Sequence, residues 1–354
     1  MRHIGTVPSC ITNLHICTET GVANLRLTRA DLEKLRSLDN HKMKWDRLGD
    51  HAIVSHLRQE AYQSCPTNLL TVCEAIRNGS FSPTALVIHE LATDNVHRVP
   101  LPGECVHECK SGNLSEAQLI TIGALLGEPY GIAGEGNSLV NNLIPSLQDR
   151  DQLTGTGSRR ELGFHTESAI HRWWARDRDL SPIGLLLFGL ASPVNGPMTR
   201  VANGRIAAAR LDEGQRALLR RDCVRLALPY RQRRQNTVEW AAASPVLSGR
   251  PGYETVTAAF YGDVMEPLCD ATAHTLDNFH DELEACSAGI QVEPGALVYI
   301  PNIYSLHARD AFVSRFDESG RAQRWLQRIL ITARLDAFQF RASSSERVFE
   351  LRSA

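Results

Sequence analysis

The stretch GFHTESAIH (163–171) places an imidazole and a carboxylate, His165 and Glu167, two positions apart. In an extended strand, side chains i and i+2 point to one face, so the two project together while Thr166 turns away. Two readings fit that geometry. One is a surface ion pair. The other is two neighbouring positions on a metal ion, which a second histidine would complete to a two-His, one-carboxylate set. That set suits non-haem Fe(II) and leaves coordination positions open. Alone, H-x-E is a weak signal that chance often produces.

The stretch PGALVYIPNIYSLHARDAF (294–312) offers the second histidine. Pro294 and Gly295 mark a turn, ALVYIP reads as a buried strand, and His307 follows shortly. RWLQRILITARL (324–335) then reads as a strand carrying Arg324 and Arg328. Arginine is suited to bidentate capture of a carboxylate. Beside a metal it points to an anionic co-substrate, and a 2-oxo acid that chelates iron through its ketone and C1 carboxylate fits. The order H-x-E, long insert, turn–strand–His, then strand with Arg is more specific than any of its parts.

The elements that must position these residues change character along the chain. In the first third, TRADLEKLRSL (28–38) reads as a helix with Thr28 as N-cap. LSEAQLITIGALLG (114–127) reads as a helix with a capping box of Ser115 and Gln118 and a Gly stop. Between them TALVIHEL (84–91) reads as a strand. After about residue 130, short β-rich runs alternate with turns, interrupted by helical inserts at 212–222 and 265–286. The pattern predicts a β-sandwich or barrel with helices packed outside. No glycine-rich phosphate loop follows a strand, which disfavours a nucleotide-binding α/β fold.

Composition bounds the partners. The chain has 354 residues, 43% hydrophobic and 22% charged, with formal net charge −2. That balance gives no reason to expect nucleic acid or an anionic membrane. The longest apolar run, IGLLLFGLA (183–191), falls short of the ~18 residues a membrane span needs, and MRHIGTVPSC lacks a signal-peptide core, so a cytoplasmic location is expected. Nine scattered cysteines do not suggest a disulfide framework. CVHEC (105–109) has no second Cys/His cluster to complete a zinc site, and free thiols are the expectation.

With those stretches in view, the sequence resembles the clavaminate synthase-like branch of the Fe(II)/2-oxoglutarate-dependent oxygenases. LGFHTESAIH, SLVNNLIP, GALVYIPNIYSLHARDAF and RWLQRILIT carry the resemblance, over roughly residues 84–336. It implies a mainly β fold, a double-stranded β-helix or jelly roll with flanking α-helices. The whole of 1–354 would form one oxygenase domain, with 1–130 a mainly helical support and 131–340 the jelly-roll core, a helical insert lying around 205–290. His165, Glu167 and His307 match the iron ligands. Arg324 matches the arginine on the distal carboxylate of 2-oxoglutarate, and Thr199 falls where a threonine often contacts that co-substrate. Arg328 matches an arginine that binds a substrate carboxylate. Asn141, Ser158, Leu162 and Asp263 fall where other substrate contacts arise. Where relatives carry two acids in the segment of Asp263, this chain has Gly262.

The resemblance also implies a reaction. Fe(II), 2-oxoglutarate and O₂ would serve to hydroxylate Cβ or Cγ of a free L-amino acid such as arginine, asparagine or lysine, or a derivative, in secondary metabolism. Desaturation, cyclisation or a carrier-bound amino acid remain alternatives within the family. A carboxylate at Glu167 favours hydroxylation over halogenation, because halogenating relatives have a small residue there. Outside the family, a cupin-type metal enzyme that does not use 2-oxoglutarate is the competing reading, and it does not call for Arg324. The sequence leaves monomer or dimer open. His171 reads as structural rather than as a ligand, and Trp173–Trp174 as a loop wall or core edge.

Overall fold

The computed structural model describes residues 11, 13–38, 47–136, 138–153, 157–174, 178–229, 233 and 237–351. In chain order, the hairpin strands β1 (Leu14–Ile16) and β2 (Val22–Leu25) precede helices α1 (Arg29–Arg36), α2 (His51–Ser64) and α3 (Thr67–Arg77). Strand β3 (Ala85–Ile88) and the short pair β4 (Asn95–Val96) and β5 (Lys110–Ser111) lead into α4 (Leu114–Leu126). Then come β6 (Glu128–Ile132), β7 (Asn141–Leu143), β8 (Leu162–His165), the single turn α5 (His171–Trp174), β9 (Gly184–Ala191) and β10 (Thr199–Asn203). Helices α6 (Gly204–Arg210) and α7 (Glu213–Leu219), strands β11 (Val224–Leu226), β12 (Leu247–Ser248), β13 (Thr255–Val256) and β14 (Met265–Pro267), and helix α8 (Asp270–Ala285) form the insert. The chain closes with β15 (Ala288–Ile290), β16 (Leu297–Ile300), β17 (Ser305–Arg309), β18 (Trp325–Thr332), β19 (Ser343–Ser345) and β20 (Val348–Phe349).

Two sheets carry the architecture. The larger runs β1-β2-β3-β16-β9-β18-β6-β20-β19, with β7 also paired to β18; the smaller runs β15-β10-β17-β8. Pairing is antiparallel except for β2 with β3 and β6 with β20. Among the described residues, segment 1–130 therefore supplies helices α1–α4 and also strands β1–β3 of the large sheet.

The large sheet is buried on both faces, and side-chain alternation divides its residues between two cores. On β9, Leu186, Phe188 and Leu190 join the core shared with α1–α4, while Leu185 and Leu187 face the other way. On β16, Leu297 and Tyr299 face the helices, and Val298 and Ile300 face inward. The inner core also takes Val201 of β10 and Ile290 of β15, so it lies between the two sheets. A third core packs α6, α7 and α8 against the outside of the small sheet through Ala202, Leu276, Phe279 and Leu306. The result is a layered, sheet-dominated molecule with helices outside both sheets.

On β18 the same alternation assigns the arginines. Trp325, Ile329 and Ile331 face the helices, and Leu326 and Leu330 face inward. Arg324 and Arg328 have the inward parity. Gln327 has the outward parity, and its amide donates to Glu116 Oε1 of α4 at 2.5 Å.

Helix α1 begins at Thr28 with a capping box, closed by Asp31. Helix α4 differs from the sequence expectation. Its N-cap is Asn113, and Ser115 lies inside the first turn. The cap comes from Asp94, whose carboxylate accepts from Leu114 N at 2.8 Å, Ser115 N at 3.1 Å and Ser115 Oγ at 2.5 Å. Lys110 sits between Asp94 (2.6 Å) and Glu116 (2.8 Å), all of it buried. A helix buried on every side has no solvent to satisfy its end, so a distant carboxylate does so. Among the described residues no helix is long and apolar enough to cross a membrane.

Candidate active site

The small sheet brings the two histidines together. Antiparallel pairing of β17 with β8 sets His307 directly opposite His165, and their ring centroids lie 4.1 Å apart. Strand β8 ends at His165, so Glu167 stands in the turn that follows rather than in the strand. That turn is fixed from outside. Asn302, fully buried, accepts from Glu167 N through Oδ1 (2.6 Å) and donates from Nδ2 to Glu167 O (3.0 Å) and Pro182 O (2.9 Å). One donor atom from each of His165, Glu167 and His307 lies within 4.8 Å of the others, the only such cluster of three among the described residues.

Both imidazoles are prepared to act as neutral donors. His165 Nδ1 donates to Gly163 O at 2.9 Å, which leaves Nε2 free to ligate. Gly163 itself has no room for a side chain, because a Cβ there would run into the carbonyl of Phe260. Burial lowers the pKa of His165, against the pull of Glu167. Burial, then His165 and Arg328, puts His307 well below the usual histidine value. Two neutral imidazoles and a carboxylate fit a divalent first-row metal such as Fe(II).

These residues open into a cavity of about 140 Å³. Arg324, just before β18, and Arg328, within it, both line it. Arg324 and Arg309 lie over the same Phe312 ring, at 5.7 and 5.3 Å from its centroid. Thr199 pairs with Arg309 in the sheet and lines the cavity too. Arg324 is 6% exposed, and no described residue supplies it a hydrogen bond or a carboxylate. Burial, and then repulsion from Arg309, brings its pKa down to about 9. Such a group calls for an anion.

Arg328 is differently placed. It donates to Glu167 Oε2 at 2.7 Å and to Glu135 Oε2 at 2.5 Å. Burial lowers its pKa, but Glu167 and Glu135 outweigh that, and the net direction is up. Its Nε is buried without a partner. Asn141 pairs with Arg328 along β18 and lines the cavity, as does Leu162.

Two residues singled out from the sequence lie outside the lining. Ser158 is buried, with its Oγ unpartnered, and its backbone bonds Arg150 O and Phe312 N. Asp263 is held by Arg233 through two bonds of 2.7 Å, and its side chain is 63% exposed. That ion pair draws the carboxylate away from the cavity wall. Sequence reasoning missed Glu135, Arg309, Tyr261 and Asn302. Arg309 had a signal in HAR, two residues after His307. Asn302, in the turn PNIY, shows none that separates it from an ordinary turn asparagine.

Residues 111–330 match the family described as taurine catabolism dioxygenase TauD, TfdA. The chain belongs to this family. It is 24% identical over 295 residues to the L-asparagine oxygenase of Streptomyces coelicolor, covering 77% of this chain and 78% of that one. It is 26% identical over 306 residues to the L-ornithine/L-arginine 3-hydroxylase of Catenulispora acidiphila, covering 78% and 84%. A solved structure of asparagine oxygenase with Fe(II), (2S,3S)-3-hydroxyasparagine and succinate has the same fold, with a TM-score of 0.80 at 23% identity over 94% of this chain and 99% of that one.

Proposed function

We propose that this TauD/TfdA-family protein is an Fe(II)/2-oxoglutarate-dependent hydroxylase of a free L-amino acid. One observation carries the reading: two neutral imidazoles with Glu167, and a buried guanidinium without a described counterion, line the same cavity. A cupin-type site that uses no 2-oxo acid gives Arg324 no purpose. The relatives support the substrate class, since those named act on asparagine, ornithine and arginine.

In this reading the two sheets form the jelly roll of a single catalytic domain, with 1–130 and the insert around 205–290 as its helical braces. His165, Glu167 and His307 hold the metal. Iron bound there supplies the oxidising power to hydroxylate an unactivated carbon, with succinate and CO₂ as co-products. Arg324 and Thr199 grip the distal carboxylate of the co-substrate, and Arg309 adds positive potential to that end. Arg328 takes the substrate carboxylate, and Glu135 the α-ammonium, each already paired with the other in the protein. Asn141 and Leu162 contribute to the wall on the substrate side, while Ser158 and Asp263 act indirectly through the loops they fix. Packed apolar residues of the large sheet, Leu185, Leu187 and Leu326 among them, keep water out.

Incubation with Fe(II), 2-oxoglutarate, O₂ and a panel of free L-amino acids tests this. The expected result is succinate formation that depends on one class of amino acid, with a product heavier by one oxygen atom. Succinate formation that no free amino acid stimulates would contradict it.

A further inference from the structure

The charges around the cavity narrow the substrate side chain. We propose, resting on the amino-acid reading above, that the substrate carries an uncharged side chain and that cationic amino acids are excluded.

Among the described residues, the cavity lining holds two acids, Glu135 and Glu167. Both are committed. Glu167 belongs to the donor set and accepts from Arg328 at 2.7 Å. Glu135 accepts from Arg328 at 2.5 Å. When Arg328 takes the carboxylate of an amino acid, Glu135 balances the α-ammonium, and no acid remains for a second positive charge.

The remaining wall is uncharged, with the neutral polar groups of Asn141, Thr166 and Ser168 set beside apolar residues. Ala169, Ile170, Ala227, Pro229 and Val264 line it, and Ala169, Ile170 and Val264 continue into a buried cluster with Leu226, Leu228 and Ala241. Tyr261 also faces the cavity, its ring 5.0 Å from that of His165, and its hydroxyl meets no described hydrogen-bond partner. A hydroxyl can serve a neutral side chain but cannot neutralise a guanidinium or ammonium.

The acid that could have served is withdrawn. Asp263 adjoins Val264, yet its carboxylate is held bidentately by Arg233, and Gly262 before it carries no side chain. A lysine, ornithine or arginine side chain would thus lie unpaired against an uncharged wall, and a buried unpaired charge weakens binding on the order of 100-fold or more.

Binding is measured first, by anaerobic calorimetry on the protein loaded with Fe(II) and 2-oxoglutarate. L-Leucine, L-isoleucine, L-methionine and L-asparagine are compared with L-arginine, L-ornithine and L-lysine, and the same set is then assayed with O₂. The best neutral amino acid is expected to exceed every cationic one by about 100-fold in affinity and in kcat/KM. Val264→Asp places a carboxylate in the wall and should shift the ratio toward ornithine by at least about 10-fold; Ala227→Asp provides the same test from the adjoining segment, whose N–H bonds Val264 O, should the first variant fail to fold. A wild-type preference for arginine, ornithine or lysine overturns the proposal while leaving the amino-acid reading intact. Failure of every free amino acid to bind overturns both.

Discussion

Arg328 Nη1 donates a hydrogen bond to Oε2 of Glu167 across 2.7 Å, so one guanidinium orients the only carboxylate of the donor set. Groups that orient metal ligands typically govern affinity by 10–100-fold. Arg328→Ala should therefore raise KM for the amino acid and also weaken Fe(II) binding by roughly 10-fold or more. Arg328→Lys keeps the charge but loses the fork that spans Glu167 and Glu135, and should recover only part of either. Fe(II) titration alongside substrate kinetics separates the two effects. An Arg328→Ala variant with unaltered iron affinity would remove the orienting role.

Arg324 makes an opposite prediction for stability and for binding. It is buried among apolar groups and faces Arg309 with no described carboxylate partner. Arg324→Met should cost at least about 2 kcal/mol in 2-oxoglutarate binding, roughly 30-fold. The ligand-free protein should melt no lower, because a desolvated charge has been removed. A fall in both quantities would mean that Arg324 is a structural residue.

Asn302 holds the turn of Glu167 by two hydrogen bonds to its backbone. Asn302→Ala leaves buried backbone groups unpaired and should destabilise the protein by about 1–3 kcal/mol. Metal affinity should fall with it, since Glu167 loses its fixed position. Denaturant unfolding at several Fe(II) concentrations measures both.

His171 predicts an acid-side loss of stability. It is fully buried, both ring nitrogens lack partners, and burial brings its pKa down to about 4. The unfolded chain therefore binds a proton that the folded protein refuses between about pH 6.5 and pH 4. Stability is complete above that window and falls through it, by about 2 kcal/mol from pH 7 to pH 5. His165 and His307 add slope of the same sign in metal-free protein, so the comparison is with His171→Leu, whose profile over this range should be flatter. Equal slopes would show that His171 is not the cause.

The candidate site was legible in the sequence where chemistry and strand parity coincide. His165 and His307 lie in strands that pair, and Arg324 and Arg328 share the inward parity of β18. Other features depend on contacts the chain order hides. Asp94 caps α4 from 20 residues upstream, where local spacing had pointed to Ser115 and Gln118. Glu135 is marked only by its contact with Arg328, 193 residues away. Strands such as β9, apolar on both faces, carry no period-2 signal, so the division of β9 between two cores could not be read from its residues. Asp263 shows the converse: its type suited a substrate contact, and its partner Arg233 was not foreseeable.

The most direct test adds Fe(II) and then 2-oxoglutarate to the protein without oxygen and records the visible spectrum. A weak charge-transfer band from the chelated metal is expected, appearing only with both additions. It should be lost in His165→Ala and His307→Ala, and should require much higher 2-oxoglutarate in Arg324→Met. Absence of the band from the folded wild-type protein, or its persistence when either histidine is removed, would contradict the central claim.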